Sequence, residues 1–397
     1  MNVRTLCSEL VKINSENPPG STIDIIEYIR EILHSLGLKP EVIKASKDRH
    51  NILTGKKDAP LLLCGHVDVV PAIANDWTYP PFSGFDDGND IWGRGSTDMK
   101  GGCSALISAC SEILESESSE LNARLAFVCD EETNGTCGIQ YCINKSLINP
   151  CDCIIAEPSL PLHPQTGQKG LCRFSIHFSG KPGHGSLYPF VGESAIMNAN
   201  SFLTYCSGLS DTVYSAGNEV DEIIDKSSDV FGELRSLPMS SSLLKRIMWN
   251  PGIIKGGEKS NIVAEHCDLE LEMRVPWGCN IDEVIKGLRA QAKGAKIEEI
   301  SIYGPSITPP DSLIVKKTCE AITKVFQKTS FPVVQFAASD ARYLRKFGFS
   351  VVEYGPGYLD KLHAIDEKVS IEGLNNAKSV YKNVIRSYLP GKSGLYN

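Results

Sequence analysis

No stretch of this 397-residue chain approaches the roughly 18 consecutive apolar residues that a membrane-spanning helix needs. Met1-Asn2-Val3-Arg4-Thr5-Leu6-Cys7 also lacks the apolar core and small-residue cleavage site of a secretory signal. A cytoplasmic protein with no membrane partner is expected. Positive charge is short as well: 40 Lys+Arg against 48 Asp+Glu leave a net charge of -8, the wrong sign for a phosphate-binding surface, so nucleic acid is not an expected partner. Internal repeats and low-complexity tracts are absent. Cysteine is plentiful, at 14, but Cys64, Cys129, Cys153, Cys172 and Cys267 lie in apolar, strand-like runs, which reads as buried reduced thiols and not as a disulfide framework. Cys151-Asp152-Cys153 has the wrong spacing for a zinc knuckle or a thioredoxin-type pair. A thiol hydrolase built on Cys64 or Cys103 is disfavoured, because neither has a neighbouring motif that would activate it.

A chain of this length is long for one core, and two domains are the expectation. Ser21-Thr22-Ile23-Asp24 has the form of a capping box, followed at helical spacing by Ile25, Ile29, Ile32, Leu33 and Leu36. Apolar strand candidates follow at 41–45, 51–54, 61–64, 125–129 and 153–156, with a helical repeat over 104–114 between them. That alternation predicts an α/β domain with a central, mostly parallel sheet flanked by helices. After about residue 168 the pattern changes. Cys172, Phe174, Ile176 and Phe178 alternate with polar residues, as do Leu269, Leu271, Met273 and Val275, which predicts strands with one wet face. A helix is expected over 193–209 and a polar, Ser-rich separator over 210–242. The resulting expectation is a domain formed by 1–168 and 283–397, interrupted by a smaller α+β domain at 169–282. Helices near 312–328 and 371–388 and a strand at 350–354 complete the larger one.

Chemistry-bearing residues cluster at the ends of the apolar runs. Leu61 to Cys64 leads into Gly65-His66-Val67-Asp68, and the i, i+2 spacing would put both polar side chains on one face of a strand. A metal-binding imidazole needs an acceptor for its other N–H, so His66 reads as a ligand and Asp68 as its orienting partner. Gly93-Arg94-Gly95-Ser96-Thr97-Asp98-Met99-Lys100-Gly101-Gly102 is not a P-loop. Its Asp98 can bridge two cations or, equally well when taken alone, cap the following helix. Asp130-Glu131-Glu132 crowds three acids at a strand end, which is costly without a cation, although most acid runs are solvated loops. Glu157 is another strand-end acid, and His363 sits in a loop after a strand. The joint pattern decides: two histidines and several carboxylates at strand ends fit the nitrogen and oxygen ligands of zinc.

The runs Gly65 to Pro71, Trp77 to Phe82, Gly93 to Gly101, Asp130-Glu131-Glu132, Glu157-Pro158-Ser159, Gly183-His184 and His363 resemble the acetylornithine deacetylase / succinyl-diaminopimelate desuccinylase family of metallohydrolases over nearly the full length. The resemblance implies one zinc held by His66, Asp98 and Glu157 and a second held by Asp98, Glu132 and His363, with Co2+ or Mn2+ as substitutes. It implies Glu131 as general base and Asp68 as the supporting carboxylate. His184, otherwise an exposed turn histidine, would act from the partner subunit of a homodimer whose inserted domain serves as dimerisation and lid domain. Asn261 and Arg274, with Ser339 and Arg342 as weaker candidates, would bind the substrate's carboxylate; their alternative is ordinary surface polarity.

The implied activity is hydrolytic removal of an acyl group from an N-acyl amino acid, N-succinyl-diaminopimelate or N-acetylornithine, reactions of lysine and arginine biosynthesis. Val69-Val70-Pro71 and Pro80-Pro81-Phe82 lean toward the desuccinylase branch. Two departures bear on the substrate: Gln168-Lys169-Gly170 replaces a more Arg-rich turn, and Ala337-Ala338-Ser339-Asp340 replaces a Gly-Thr-Ser-Asp-like run. A metallo-exopeptidase or dipeptidase would use the same metals on a peptide bond. A non-catalytic binding protein on a decayed scaffold would have lost a ligand or the base, whereas all six positions remain here.

Overall fold

The computed structural model describes residues 1–73, 75–117, 120–235 and 240–390, with backbone alone at 233–235 and 240–242. The chain divides into two compact units, the first made of residues 1–166, 308–332 and 339–397 and the second of 167–307 and 333–338.

In the first unit a twisted sheet runs in the order Glu41–Lys44, His50–Thr54, Arg124–Val128, Leu61–His66, Asp152–Ile155, Ser350–Glu353. The central strands are parallel, Leu61–His66 to both Arg124–Val128 and Asp152–Ile155, and Asp152–Ile155 to Ser350–Glu353. Their continuous apolar runs are the signature of strands covered on both faces, and Leu61–His66 is buried throughout. Glu41–Lys44 and His50–Thr54 form an antiparallel margin. Helices Val3–Lys12, Gly101–Ser116, Leu313–Phe326 and Ile371–Ser387 pack on one another and on the sheet. In the last of these Leu374, Val380, Tyr381 and Val384 are buried at helical spacing, each contributing roughly 1.5–3 kcal/mol relative to exposure. Gly102 permits a close approach that matters for the site, since a Cβ there would lie 2.1 Å from the carbonyl oxygen of Ala156. The predicted cap differs in detail: helix Ile23–Ser35 starts after Thr22, and the Thr22 hydroxyl, instead of capping, exchanges hydrogen bonds with the His50 backbone.

The second unit is built on an antiparallel sheet ordered Met248–Gly256, His266–Val275, Gly170–Ser179, Lys296–Tyr303. Phe174, Ile176, Phe178, Leu269, Leu271 and Met273 point to one face and form its core with Phe202 of helix Ala195–Leu209 and Leu288 of helix Ile281–Gln291. Because that sheet also takes Lys296–Tyr303, this unit continues past residue 282, where the sequence reading ended it. The Ser-rich stretch expected as a separator contains helix Asn218–Arg235. Its Ile223, Ile224 and Phe231 are buried; the high polarity of the outer face masked this inward stripe. Among the described residues no helix is long and apolar enough to cross a membrane.

Candidate metal centre

Because the core strands of the first unit are parallel, their carboxyl ends share one edge, the place where such sheets collect ligands. His66 closes its strand, Glu131–Thr133 forms a short helical turn just past Val128, Glu157 follows Ile155 by two residues, and His363 lies in the loop after Ser350–Glu353. Asp98 enters from the glycine-rich run. Helix Gly101–Ser116 begins beyond it with Lys100 at the cap position, so Asp98 does not cap that helix.

The side chains converge. His66 Nε2 is 2.9 Å from Asp98 Oδ1 and 3.7 Å from Glu157 Oε1, while His363 Nε2 is 3.3 Å from both Asp98 Oδ2 and Glu132 Oε2. Two groups result, His66–Asp98–Glu157 and Asp98–Glu132–His363, each with its ligand atoms within 4.8 Å of one another and with Asp98 common to both.

The electrostatics say what such a cluster lacks. Burial pushes the carboxyls of Glu157 and Glu132 above the usual range, and the charge of Asp98 adds to it. Burial acts on Asp98 in the same direction, but hydrogen bonds from His363 and His66 overcome it and hold it low. His363, bonded to Asp98 and Glu132, is raised to about 10. His66 is raised too, since its bonds to Asp68 and Asp98 outweigh the effect of burial. The positive charge in the cluster thus falls on two imidazoles, which as metal ligands would be neutral. Glu132 Oε1 is buried without a partner among the described residues. Divalent cations would supply the missing charge and take up that oxygen, and the N/O donor set suits zinc. The residues present fit a dinuclear centre.

Glu131 stands outside both groups. Burial and then the charge of Asp340 raise its carboxyl well above the usual range. Asp340 is itself pushed up to about 7 by burial, against the pull of Arg342, and its Oδ1 is buried without a partner among the described residues.

The surroundings of Asp68 differ from the expected strand geometry. The strand ends at His66, and His66 Nδ1 lies 2.9 Å from the Asp68 backbone carbonyl oxygen, with the carboxylate at 3.5 Å. The carboxylate instead accepts from the Glu131 and Glu132 backbone amides, both at 3.2 Å, and from Asn17 Nδ2 at 3.0 Å. Asn17 was missed by sequence reasoning. It is buried, bonded also to Thr133 and Arg49, and comes from a remote Asn-Pro-Pro-Gly turn whose only local signal is its punctuation.

Ser339 and Arg342 are buried in the first unit. The Ser339 hydroxyl donates to Glu353 at 2.5 Å, and the Arg342 guanidinium donates to the Ser339 carbonyl and the Tyr343 hydroxyl, both at 2.8 Å. Burial lowers and Glu131 more than restores the Arg342 proton affinity. His184, Asn261 and Arg274 belong to the second unit. There His184 and Asn261 are neighbours: the Asn261 carbonyl accepts from Gly185 N at 2.8 Å, and His184 Nδ1 is 2.8 Å from the Ser186 hydroxyl. Arg274 forks onto Glu272, while its Nη1 is buried without a partner among the described residues. Lys169, in one of the departing turns, is buried and donates to the Leu243 and Arg246 carbonyls. Burial, with Arg274 next, lowers its ammonium to about 7.

Comparison with known proteins gives a consistent picture. The family model described as Peptidase family M20/M25/M40 matches residues 62–387. A protein named probable succinyl-diaminopimelate desuccinylase from Staphylococcus aureus (strain N315) is 27% identical over 415 residues, covering 98% of this chain and 97% of that one. Among solved structures, an M20 family metallo-carboxypeptidase from Sulfolobus solfataricus superposes with a TM-score of 0.79 at 21% identity, covering 98% of this chain and 99% of that one. A dinuclear metal-binding peptidase from Bacillus subtilis gives 0.65 at 14% identity, covering 96% of each chain.

Proposed function

The chain belongs to peptidase family M20/M25/M40, a family of metallohydrolases, and from that premise we propose that it is a dinuclear amidohydrolase removing an acyl group from an N-acyl amino acid. The observation that carries the reading is the pair of donor groups sharing Asp98. In this reading His66, Asp98 and Glu157 hold one divalent cation and Asp98, Glu132 and His363 the other, zinc being the best match to the donors and cobalt or manganese substitutes. Bound there, the cations would polarise the scissile carbonyl and lower the pKa of the attacking water.

The protein's own groups do the rest. Glu131 takes the proton from that water and passes it to the leaving amine, a task suited to a carboxyl whose proton affinity burial, and then the charge of Asp340, has raised well above the usual range. Asp68 fixes Glu131 and Glu132 through their amides. Arg274, with Asn261, receives the substrate's carboxylate, for which its unpartnered Nη1 is suited. Arg342 is a second cation for that role, and Ser339 a weaker contributor because its hydroxyl is already donated to Glu353. His184 of the partner subunit donates to the developing oxyanion. A homodimer formed through the inserted unit, acting also as a lid, is supported by that unit's exposed Phe190, Ile196, Met197 and Ile262 and a cleft of about 480 Å³ beside them.

The full-length similarity to a protein named probable succinyl-diaminopimelate desuccinylase favours N-succinyl-diaminopimelate as substrate, with N-acetylornithine retained from the motif resemblance. A second reading, a metallo-exopeptidase or dipeptidase, is favoured by the likeness to the Sulfolobus metallo-carboxypeptidase. Turnover of metal-reconstituted protein on N-succinyl, N-acetyl and dipeptide substrates, beside a chelated control, tests both. Chelator-sensitive release of an acyl group supports the first; peptide cleavage alone moves the assignment to the second. Full metal content without turnover on any of them would leave a binding protein on a hydrolase scaffold.

A further inference from the structure

Arg94 and Glu367 form an ion pair that the chemistry above does not use. Their side chains are 5% and 1% exposed and meet at 2.7 Å. Taking two charges out of water is costly, and apart from Arg94 Nε, which is buried with no hydrogen-bond partner among the described residues, the pair's other donors and acceptors find partners. Those partners lie on the two segments that carry Asp98 and His363. Glu367 Oε1 accepts from the Thr97 amide at 2.9 Å and the Asp98 amide at 3.0 Å. The Arg94 guanidinium donates to the Ala364 carbonyl at 3.2 Å and the His363 carbonyl at 3.3 Å. Gly93 N donates to the Glu367 carbonyl at 2.8 Å, and the Thr97 hydroxyl to the Lys368 carbonyl at 2.6 Å. The guanidinium carbon also lies 5.1 Å from the centre of the Trp77 ring.

His363 needs such support more than the other donors do. Its φ is 58°, a left-handed conformation that a residue other than glycine keeps only when its surroundings impose it. Its side chain is 52% exposed, so packing of the ring does little to impose it. His66, in contrast, is the last residue of a buried strand, and Glu157 lies two residues past the end of another.

From this geometry we infer that the Arg94–Glu367 pair is a positioning device that sets the separation of Asp98 and His363, and so governs cation affinity of the Asp98–Glu132–His363 group more than that of His66–Asp98–Glu157. The inference rests on the dinuclear reading. It adds that the two cation affinities are tuned separately, by residues that touch neither substrate nor metal.

The test is a zinc titration of chelator-stripped protein, read by competition with a chromophoric chelator and by elemental analysis, for wild type, Glu367→Gln and Arg94→Lys. An amide has one acceptor oxygen where the carboxylate has two, so Glu367→Gln must forfeit either Arg94 or the two backbone amides. Arg94→Lys keeps the charge but not the planar fork that reaches both carbonyls and Glu367; it serves if the first variant does not fold. Each variant is expected to bind one ion as wild type does and the second roughly 10–100-fold more weakly. Two unchanged affinities, or two affinities reduced by the same factor, overturn the inference while leaving the dinuclear reading intact. A wild-type protein that binds fewer than two ions overturns the dinuclear reading and this inference with it.

Discussion

Replacing Asp68 tests whether the carboxylate supports the turn that presents Glu131 and Glu132. It is fully buried and accepts from three donors, the Asn17 amide and the backbone amides of Glu131 and Glu132. Asp68→Ala leaves those donors without an acceptor, and each buried donor left unpaired costs about 1–3 kcal/mol. Relaxation and entering water reduce the sum, so a loss of about 3–5 kcal/mol in unfolding free energy is expected. Asp68→Asn keeps the shape and one acceptor oxygen, and should cost about 1–3 kcal/mol. The turn would shift in both variants, and kcat/KM should fall about 10–100-fold for Asn and further for Ala. Urea unfolding of chelated protein, followed by circular dichroism, gives the first quantity, and turnover of the reconstituted enzyme gives the second. Wild-type stability in Asp68→Ala, or Asn and Ala variants that cannot be told apart, would refute the reasoning.

Three further outcomes are expected. Glu131→Gln should keep two bound metals by elemental analysis and lose nearly all turnover; retained turnover would remove the assignment of the base. Mixing His184→Ala subunits with Glu131→Gln subunits should restore part of the activity if the histidine acts across a dimer, and no recovery in demonstrated heterodimers counts against it. Asp340 holds its proton up to about pH 7 in the folded state, whereas the unfolded chain releases it near the usual value of about 4. Between those values the folded state binds more protons, so this residue makes metal-free protein less stable as pH rises, by at most about 1.4 kcal/mol per pH unit. Asp340→Asn should flatten that slope in urea melts from about pH 5 to about 7, and an unaltered slope contradicts the assignment.

The parallel core was legible because its strands are short, apolar and covered on both faces, and the limits read for them agree with the structure to within two residues. Two of the second unit's four sheet strands, Gly170–Ser179 and His266–Val275, announced themselves by strict alternation. Helix Asn218–Arg235 did not, since polar residues outnumber its buried stripe. Nor did the strand Lys296–Tyr303, whose Lys296-Ile297-Glu298-Glu299 start gives little alternation. In the candidate metal centre, each donor ends an apolar run or sits in a marked loop, so their joint pattern was visible in the sequence, but only the family resemblance separated Glu132 as donor from its neighbour Glu131. The supporting contacts leave no such trace. Asn17 reaches Asp68 across 51 positions of sequence, and Glu367 reaches Asp98 across 269. Pairings of that range are products of the folded topology, and no local periodicity encodes them.

The donors that converge on one sheet edge are drawn from positions 66, 98, 132, 157 and 363. During synthesis the acids at 98, 132 and 157 leave the ribosome long before the imidazole at 363 does. A nascent chain would therefore carry an unfinished anionic nest over much of its translation, and, if the two groups bind cations as proposed, the full set could be captured only near the close. A premature stop or proteolytic clip just before the final loop would leave four of the five candidate donors without the fifth.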